Sequence, residues 1–558
     1  MNPKPSMKAN MPTLKRACTL AALLLLALTG PGASAQQTFT RQDSLRGSIT
    51  PERAWWDLRF YDLSLTVDPA GKTLSGSNSI RYKVLEPGQR LQLDLQQPLQ
   101  IDAVLQDGEQ LTFESEGSAH FVHLTKPQRP GATETVTVKY SGAPRVAVRA
   151  PWDGGFSWAS DAKGQPFVAT SCQGLGASAW WPNKDHMYDE PDSMAIAVTV
   201  PRPLMDVSNG RLRKVEEGDG TRTYHWFVSN PINNYGVNVN IAEYVRFGET
   251  YAGEKGPLDL DYYVLPDDLD KAREQFKQVP GMLEAFEYWF GPYPFYEDGF
   301  KLVQVPYLGM EHQSSVTYGN RFQNGYLGRD LSGTGWGLKF DFIIIHESGH
   351  EWFANNITYR DIADMWIHEG FTAYSENLYL DYHFGSQAAA EYTIGTRRNI
   401  QNDRPIIGAY DVNSEGSGDM YYKGANMLHT LRQLVEDDAL WRGILRGLNR
   451  DFYHQTVTTR QIEDYLSRET GKDLSAFFNQ YLRTTQIPTL EFRRNGQEME
   501  FRYTDIVEGF DMPVRILAGG ETRWIFPKAG WNSEPLLEGA DLAFDPNFYI
   551  RVKQADGR

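Results

Sequence analysis

The sequence predicts an α+β chain of about three domains: an N-terminal antiparallel β domain, a mainly helical middle and a small C-terminal β-sandwich. Three observations predict it. At 558 residues the chain exceeds one ordinary core, on a prior of roughly 100–200 residues per domain. Its apolar periodicity changes twice, from alternation to helical spacing near Pro266 and back to alternation near Leu490. Its composition, 41% hydrophobic and 23% charged, is that of a folded soluble protein.

In chain order, residues 1–35 read as a leader and not as part of the fold. Lys4, Lys8, Lys15 and Arg16 form a positive region, Ala17 to Leu28 an apolar one, and Ala33-Ser34-Ala35 an A-x-A cleavage signal. The mature chain is therefore expected to begin near Gln36 and to be exported, to a periplasm or beyond the cell. The competing reading is an uncleaved anchor, but the apolar run is shorter than the ~20 residues a bilayer core needs. No later segment is long and apolar enough to cross a membrane.

The net charge of −16 becomes more negative once the leader goes, because the leader holds four basic residues and no acid. That balance excludes nucleic acid as a partner, which needs a basic footprint. Cys18 leaves with the leader and lies at the start of its apolar run rather than at its end, so it marks no lipid attachment. Cys172 then stands alone, so no internal disulfide is expected and stability must come from packing.

Residues 36–248 read as β. Leu63, Leu65 and Val67 alternate with polar neighbours, as do Leu91, Leu93 and Leu95, and Val136, Val138 and Tyr140. Asp68-Pro69-Ala70-Gly71 and Gly218-Asp219-Gly220 mark turns. Residues 249–486 are expected to form a second, mainly helical domain, with helical spacing from about Pro266 and a strand over Lys301–Val305. A helix is predicted over Asp267–Phe290, with Leu269, Phe276, Met282, Phe286 and Phe290 as apolar anchors, and helices dominate from Lys339 to Arg483. Residues 487–558 return to short alternating runs, at Leu490–Phe492, Met499–Tyr503 and Trp524–Phe526.

The chemistry lies in the helical part. Residues 340–353 contain H-E-x-x-H. On a helix, His346 and His350 share one face one turn apart, so two imidazoles can grip one cation. Phe342, Ile343 and Phe353 are expected on the same face, pressing the helix into a core. Glu347 stands about 100° round the axis from His346, beside a metal and not on it, where a general base belongs. Two core histidines on an amphipathic helix are the bland alternative, and a third ligand decides. Zinc catalytic sites use three protein ligands and keep one position open. A second predicted helix, over Asp364–Glu376, sets Glu369 among Ile362, Met365, Trp366 and Ala373, where a carboxylate is costly without a cation.

With Glu369 placed eighteen residues after His350, the sequence resembles the gluzincin aminopeptidases of the aminopeptidase N and leukotriene hydrolase type. Further motifs run outward: Trp352-Phe353 with Asn355, Glu369-Gly370-Phe371, Leu308-Gly309-Met310-Glu311-His312 for G-x-M-E-N, and Tyr421-Tyr422-Lys423-Gly424 for Y-x-K-G. Thr170-Ser171-Cys172-Gln173, Trp181-Pro182-x-x-Asp185 and Asp189-Glu190-Pro191 resemble motifs of that family's N-terminal domain. The resemblance covers residues from about 50 to about 490. It implies a thermolysin-like catalytic domain holding one zinc ion per chain on His346, His350 and Glu369. It implies hydrolysis of peptides with a free N-terminus, with Glu347 as general base and Tyr421, rather than its neighbour Tyr422, as oxyanion donor. Glu311, helped by Gln173, would pair with the substrate ammonium, and Gly309 and Met310 would line the substrate cleft. Many relatives continue into a large helical domain; this sequence ends at Arg558, and a more open cleft is expected.

Two family asparagines are replaced, by His312 and His368, and Leu308 stands where many relatives carry glycine. Both histidines are read as structural rather than as ligands of a second metal. Glu376, seven residues after Glu369, is read either as a partner of a zinc-binding histidine or as solvated helix charge. Two other functions compete with the aminopeptidase: an epoxide hydrolase acting on a lipid, and a non-catalytic peptide-binding scaffold. Oligomeric state and the preferred N-terminal residue are not legible in the sequence.

Overall fold

The computed structural model describes residues 38–537 and 539–555. The expected leader, with Cys18, lies outside the described residues. Residues Arg41–Arg558 form one compact unit.

The first long strand, Trp56–Asp68, shows how sequence sets register. Leu63, Leu65 and Val67 are buried and their neighbours exposed, as alternation requires, but Trp56 and Leu58 lie on the opposite parity. The register shifts between Leu58 and Phe60 against Thr73–Val84. This bulge turns both apolar sets toward one core. The strand belongs to a ten-stranded sheet, in which it pairs antiparallel with Thr73–Val84 and parallel with Ser193–Pro201. That one parallel ladder departs from the expected antiparallel plan; the long excursion between the two strands makes it possible, because parallel neighbours need a crossover. A four-stranded sheet formed by Gly155–Ser160, Pro166–Ser171, Met205–Val207 and Asn240–Ala242 completes this region. Between the sheets lies a core that includes Trp180 and Trp181.

A five-stranded sheet follows, built from Val245–Gly253, Gly256–Val264, Phe300–Gln304, Gly309–Met310 and Val316–Tyr318. The helix expected over 267–290 is two helices, Leu269–Gln275 and Gln278–Phe290. Pro280 is the reason. It has no N–H for the Phe276 carbonyl, and its ring would strike that carbonyl in a continuous helix; the Val279 N–H bonds it at 3.0 Å instead. Helices Phe342–Gly349, Trp366–Phe384 and Tyr422–Val435 then pack around the site.

The C-terminal strands make a four-stranded and a three-stranded sheet. Their inward residues Leu490, Phe501 and Ile516 belong to the same apolar core as the helices, so the sandwich is buttressed by the helices of the middle region rather than stable by its own small core alone. No helix among the described residues is long and apolar enough to cross a membrane.

Candidate metal and peptide site

Asp341 starts the H-E-x-x-H helix, its side chain accepting from the N–H groups of Ile343 and Ile344 and satisfying donors that a helix start leaves open. All eight helical residues, Phe342–Gly349, are buried. The helix is shorter than expected. Backbone dihedrals leave the helical range at Phe353 and Ala354, so Phe353 does not extend the helix face. Its contribution is its carbonyl, 3.0 Å from His350 Nδ1. That bond puts the proton on Nδ1 and leaves Nε2 as a ligand atom.

The Trp366–Phe384 helix lies close against this one because residue 349 is glycine: a Cβ there would sit 2.5 Å from Ser375 Oγ. Glu369 thereby reaches both imidazoles. Its Oε2 is 3.5 Å from His346 Nε2 and 3.4 Å from His350 Nε2. These gaps exceed a charge-assisted hydrogen bond of about 2.7–2.9 Å. They match the edge, about 3.3–3.4 Å, of a tetrahedron of zinc–nitrogen and zinc–oxygen bonds. Oε2 is buried with no hydrogen-bond donor among the described residues, the position of an atom that awaits a cation. His346 Nδ1 meets Glu376 Oε1 at 2.7 Å, and Tyr392 donates to Glu376 Oε2 at 2.5 Å. Glu376 is fully buried, so of the two readings of its sequence position the structure shows the histidine partner.

Charge follows this geometry. Burial opposes charge on His346, yet the adjoining carboxylates of Glu369 and Glu376 raise its pKa well above the ordinary value. Burial likewise opposes the Glu369 anion, but His350 and His346 hold its carboxyl well below the usual carboxylate range. The cluster therefore demands positive charge, which a metal supplies and protons otherwise provide. The residues fit zinc: two nitrogens and one carboxylate oxygen, converging and mutually oriented. A second trio, Glu311, Glu347 and His350, is also close enough to share an ion. It fits less well, because Glu311 Oε1 already accepts from Gln173 at 2.6 Å and Tyr235 at 3.1 Å.

Glu347 lies beside the trio and lines the same cleft of about 780 Å³. Burial pushes its carboxyl up to about 7. Gly309 lets its strand pass over the helix at this point: a Cβ would meet Ile343 Cγ2 at 2.6 Å and Glu347 Cγ at 3.3 Å. Met310 and Glu311 follow into the cleft, and Asn355 Nδ2 donates to the Glu311 carbonyl at 2.8 Å. Burial raises the Glu311 pKa. Gln173 enters from the other side, just past strand Pro166–Ser171. Its Nε2 donates to Glu311 Oε1 and, at 3.0 Å, to Glu369 Oε1, and among the described residues its amide oxygen has no donor. Tyr421 stacks with its ring centroid 5.9 Å from that of His346; burial and the nearby Glu369 raise its pKa well above the ordinary value.

Each residue given a metal, catalytic or substrate-binding role from the sequence lines one cleft. Leu308, Arg404, Glu415 and Trp152, the last 67% exposed, form its outer walls. Sequence reasoning missed Tyr235, Tyr392, Thr372 and the Phe353 carbonyl. Thr372 Oγ1, 3.0 Å from His350 Nδ1, lies three residues beyond Glu369 on its helix, the one signal that could have found it. His312 and His368 are both buried in packing. The Nε2 of His368 accepts the Tyr359 N–H at 2.8 Å, which removes it as a ligand.

The chain matches the Peptidase M1 N-terminal domain over residues 59–235 and the Peptidase family M1 domain over residues 275–481. It is 20% identical to Probable aminopeptidase 1 of Sulfurisphaera tokodaii over 75% of this chain and 52% of that protein. It is 22% identical to Leukotriene A-4 hydrolase of Xenopus laevis over 75% of this chain and 68% of that one. The chain spans about half the length of the Sulfurisphaera protein. Its fold matches a mutant of the M1 zinc metallopeptidase of Deinococcus radiodurans bound to a Tyr-Ser-Ala substrate. The TM-score is 0.65 and identity 23%, with 80% of this chain and 98% of that one covered.

Proposed function

The chain belongs to peptidase family M1, and from that premise we propose that it is a zinc-dependent aminopeptidase. One observation carries the reading. A cation-demanding His346/His350/Glu369 cluster shares a single cleft with Glu311, a buried carboxylate suited to an ammonium. A free peptide N-terminus supplies that ammonium, and its length to the first peptide bond fixes which bond is cut. The Tyr-Ser-Ala substrate of the Deinococcus radiodurans protein is of this class.

His346, His350 and Glu369 would hold one zinc ion. When bound, zinc makes water nucleophilic near neutral pH and polarises the scissile carbonyl. Glu347 takes a proton from the attacking water and delivers it to the departing amine, a role its carboxyl near pH 7 suits. The Tyr421 hydroxyl donates to the oxyanion as it forms. Glu311 pairs with the substrate ammonium, and the Gln173 amide oxygen accepts one of its protons. Gly309 and Met310 wall the cleft beside it. The ammonium anchor favours a peptide over an epoxide lipid, and the presence of base and ligands together favours catalysis over mere peptide binding.

The test is hydrolysis of fluorogenic aminoacyl amides and of their N-acetyl counterparts, with and without a chelator. Hydrolysis of the free amines alone, abolished by chelation, is expected. Equal cleavage of acetylated substrates would remove the aminopeptidase reading. Export is proposed on the pattern ending at Ala33-Ser34-Ala35; N-terminal sequencing should find Gln36 first, and an intact Met1 would refute it.

A further inference from the structure

Glu311 is useful as an anchor only if one of its oxygens is kept for the ammonium. Two donors converge on Oε1: Gln173 Nε2 at 2.6 Å and the Tyr235 hydroxyl at 3.1 Å. Among the described residues no other side chain donates to this carboxylate. Gln173 divides its amide between Glu311 and Glu369, so it does not fix Glu311 alone. Tyr235 is 3% exposed and His368 is fully buried.

The direction of the Tyr235 bond is set by His368. Nε2 of His368 accepts the Tyr359 N–H at 2.8 Å. A ring nitrogen that accepts carries no proton, so the imidazole is neutral with its hydrogen on Nδ1. Nδ1 lies 3.4 Å from the Tyr235 hydroxyl and must donate to it. The hydroxyl has one proton, and the bond to Glu311 Oε1 uses it. The Tyr359 ring stacks on the imidazole with centroids 4.1 Å apart, which holds its plane.

We infer that Tyr359 N–H, His368 and Tyr235 form a one-way hydrogen-bond relay that positions Glu311, occupying Oε1 and presenting Oε2 to the substrate ammonium; the inference rests on the aminopeptidase reading above. The relay asks of residue 368 only an acceptor facing the Tyr359 N–H and a donor facing Tyr235. An asparagine amide can accept from the Tyr359 N–H with its oxygen and donate to Tyr235 with its nitrogen, so the two residues share the same polarity. Tyr235 and His368 are positioning residues; neither touches the reacting atoms.

The experiment uses the zinc-loaded full chain and two competitive inhibitors, L-leucine hydroxamate and its des-amino analogue 4-methylpentanohydroxamate. Both chelate zinc and share a side chain, and only the first carries the ammonium. The ratio of their inhibition constants reads the Glu311 anchor. Tyr235→Phe should reduce the ratio about tenfold, as loss of a hydrogen bond to a charged group does, with zinc content and affinity for the des-amino compound kept. His368→Asn should keep the ratio within about threefold, and His368→Leu, which offers no donor, should lower it. An unchanged ratio in Tyr235→Phe overturns the relay, as does equal weakening of both inhibitors. If Tyr235→Phe does not fold, the two His368 variants decide: equal ratios overturn it. A wild-type protein that does not prefer the amine compound refutes the aminopeptidase reading instead, a distinct failure.

Discussion

Glu376 is outside the proposed zinc-ligand trio, and its contacts predict an effect on zinc affinity. It is fully buried, it accepts from His346 Nδ1 at 2.7 Å, and its other oxygen is occupied by Tyr392. That bond fixes the ring so that Nε2 faces Glu369, and the negative charge makes the imidazole a stronger donor to a cation. Partners of this kind change metal affinity by about 10–100-fold, or about 1.4–2.7 kcal/mol. Glu376→Gln keeps an acceptor oxygen for Nδ1–H and an amide to face the Tyr392 hydroxyl, but removes the charge. It should sit at the low end, about tenfold. Glu376→Leu strands both the imidazole N–H and the tyrosine hydroxyl in a buried site at about 1–3 kcal/mol each. It should lose about 100-fold in zinc affinity and also melt lower. Zinc competition against a chromophoric chelator reads the affinity, and turnover at saturating zinc should recover most of the activity of Glu376→Gln. Wild-type zinc affinity in both variants would refute the assignment of Glu376 to the metal site.

Glu347→Gln should keep zinc and lower kcat by about 10²–10⁴; a metal-free or fully active variant contradicts its role as base. Burial pushes Glu347 up to about 7 and a bound cation pulls it down, so activity should fall with acidification at or below pH 7, an acid limb that Glu347→Gln lacks. Tyr421→Phe should raise the barrier by about 2.7–4 kcal/mol with KM little changed; lost affinity at normal turnover would move the oxyanion donor elsewhere. Away from the site, burial depresses His186 and His312 to about 3 and His429 to about 4. Each folded value lies below the unfolded one of about 6.5, so the stability is present above that pH and is lost as pH falls toward 3–4. At pH 5 each contributes a loss of about 2 kcal/mol. Denaturant midpoints should therefore drop between pH 7 and pH 5, and a flat profile would show these histidines to be solvated.

Much of this was legible in sequence because it is local. His346, Glu347 and His350 are one helical turn, and Glu369 with Glu376 two turns of another; spacing on a helix is geometry that the sequence states directly. The alternating strands were legible for the same reason. What stayed hidden was set by chain-distant contacts. Tyr235 reaches Glu311 across 76 residues, and it stands in no motif. Phe353 was expected on a helix face, whereas its backbone leaves the helix to offer a carbonyl to His350. Pro280, visible in the sequence, breaks a helix that the apolar spacing alone joins. The parallel pairing of Trp56–Asp68 with Ser193–Pro201 depends on topology that alternation does not encode.

Diffraction at the zinc absorption edge from crystals of the zinc-loaded protein tests the central claim most directly. One anomalous peak is predicted, within about 2.0–2.2 Å of His346 Nε2, His350 Nε2 and Glu369 Oε2. A peak held instead by Glu311, Glu347 and His350, or no peak in protein that cleaves peptides, would contradict it.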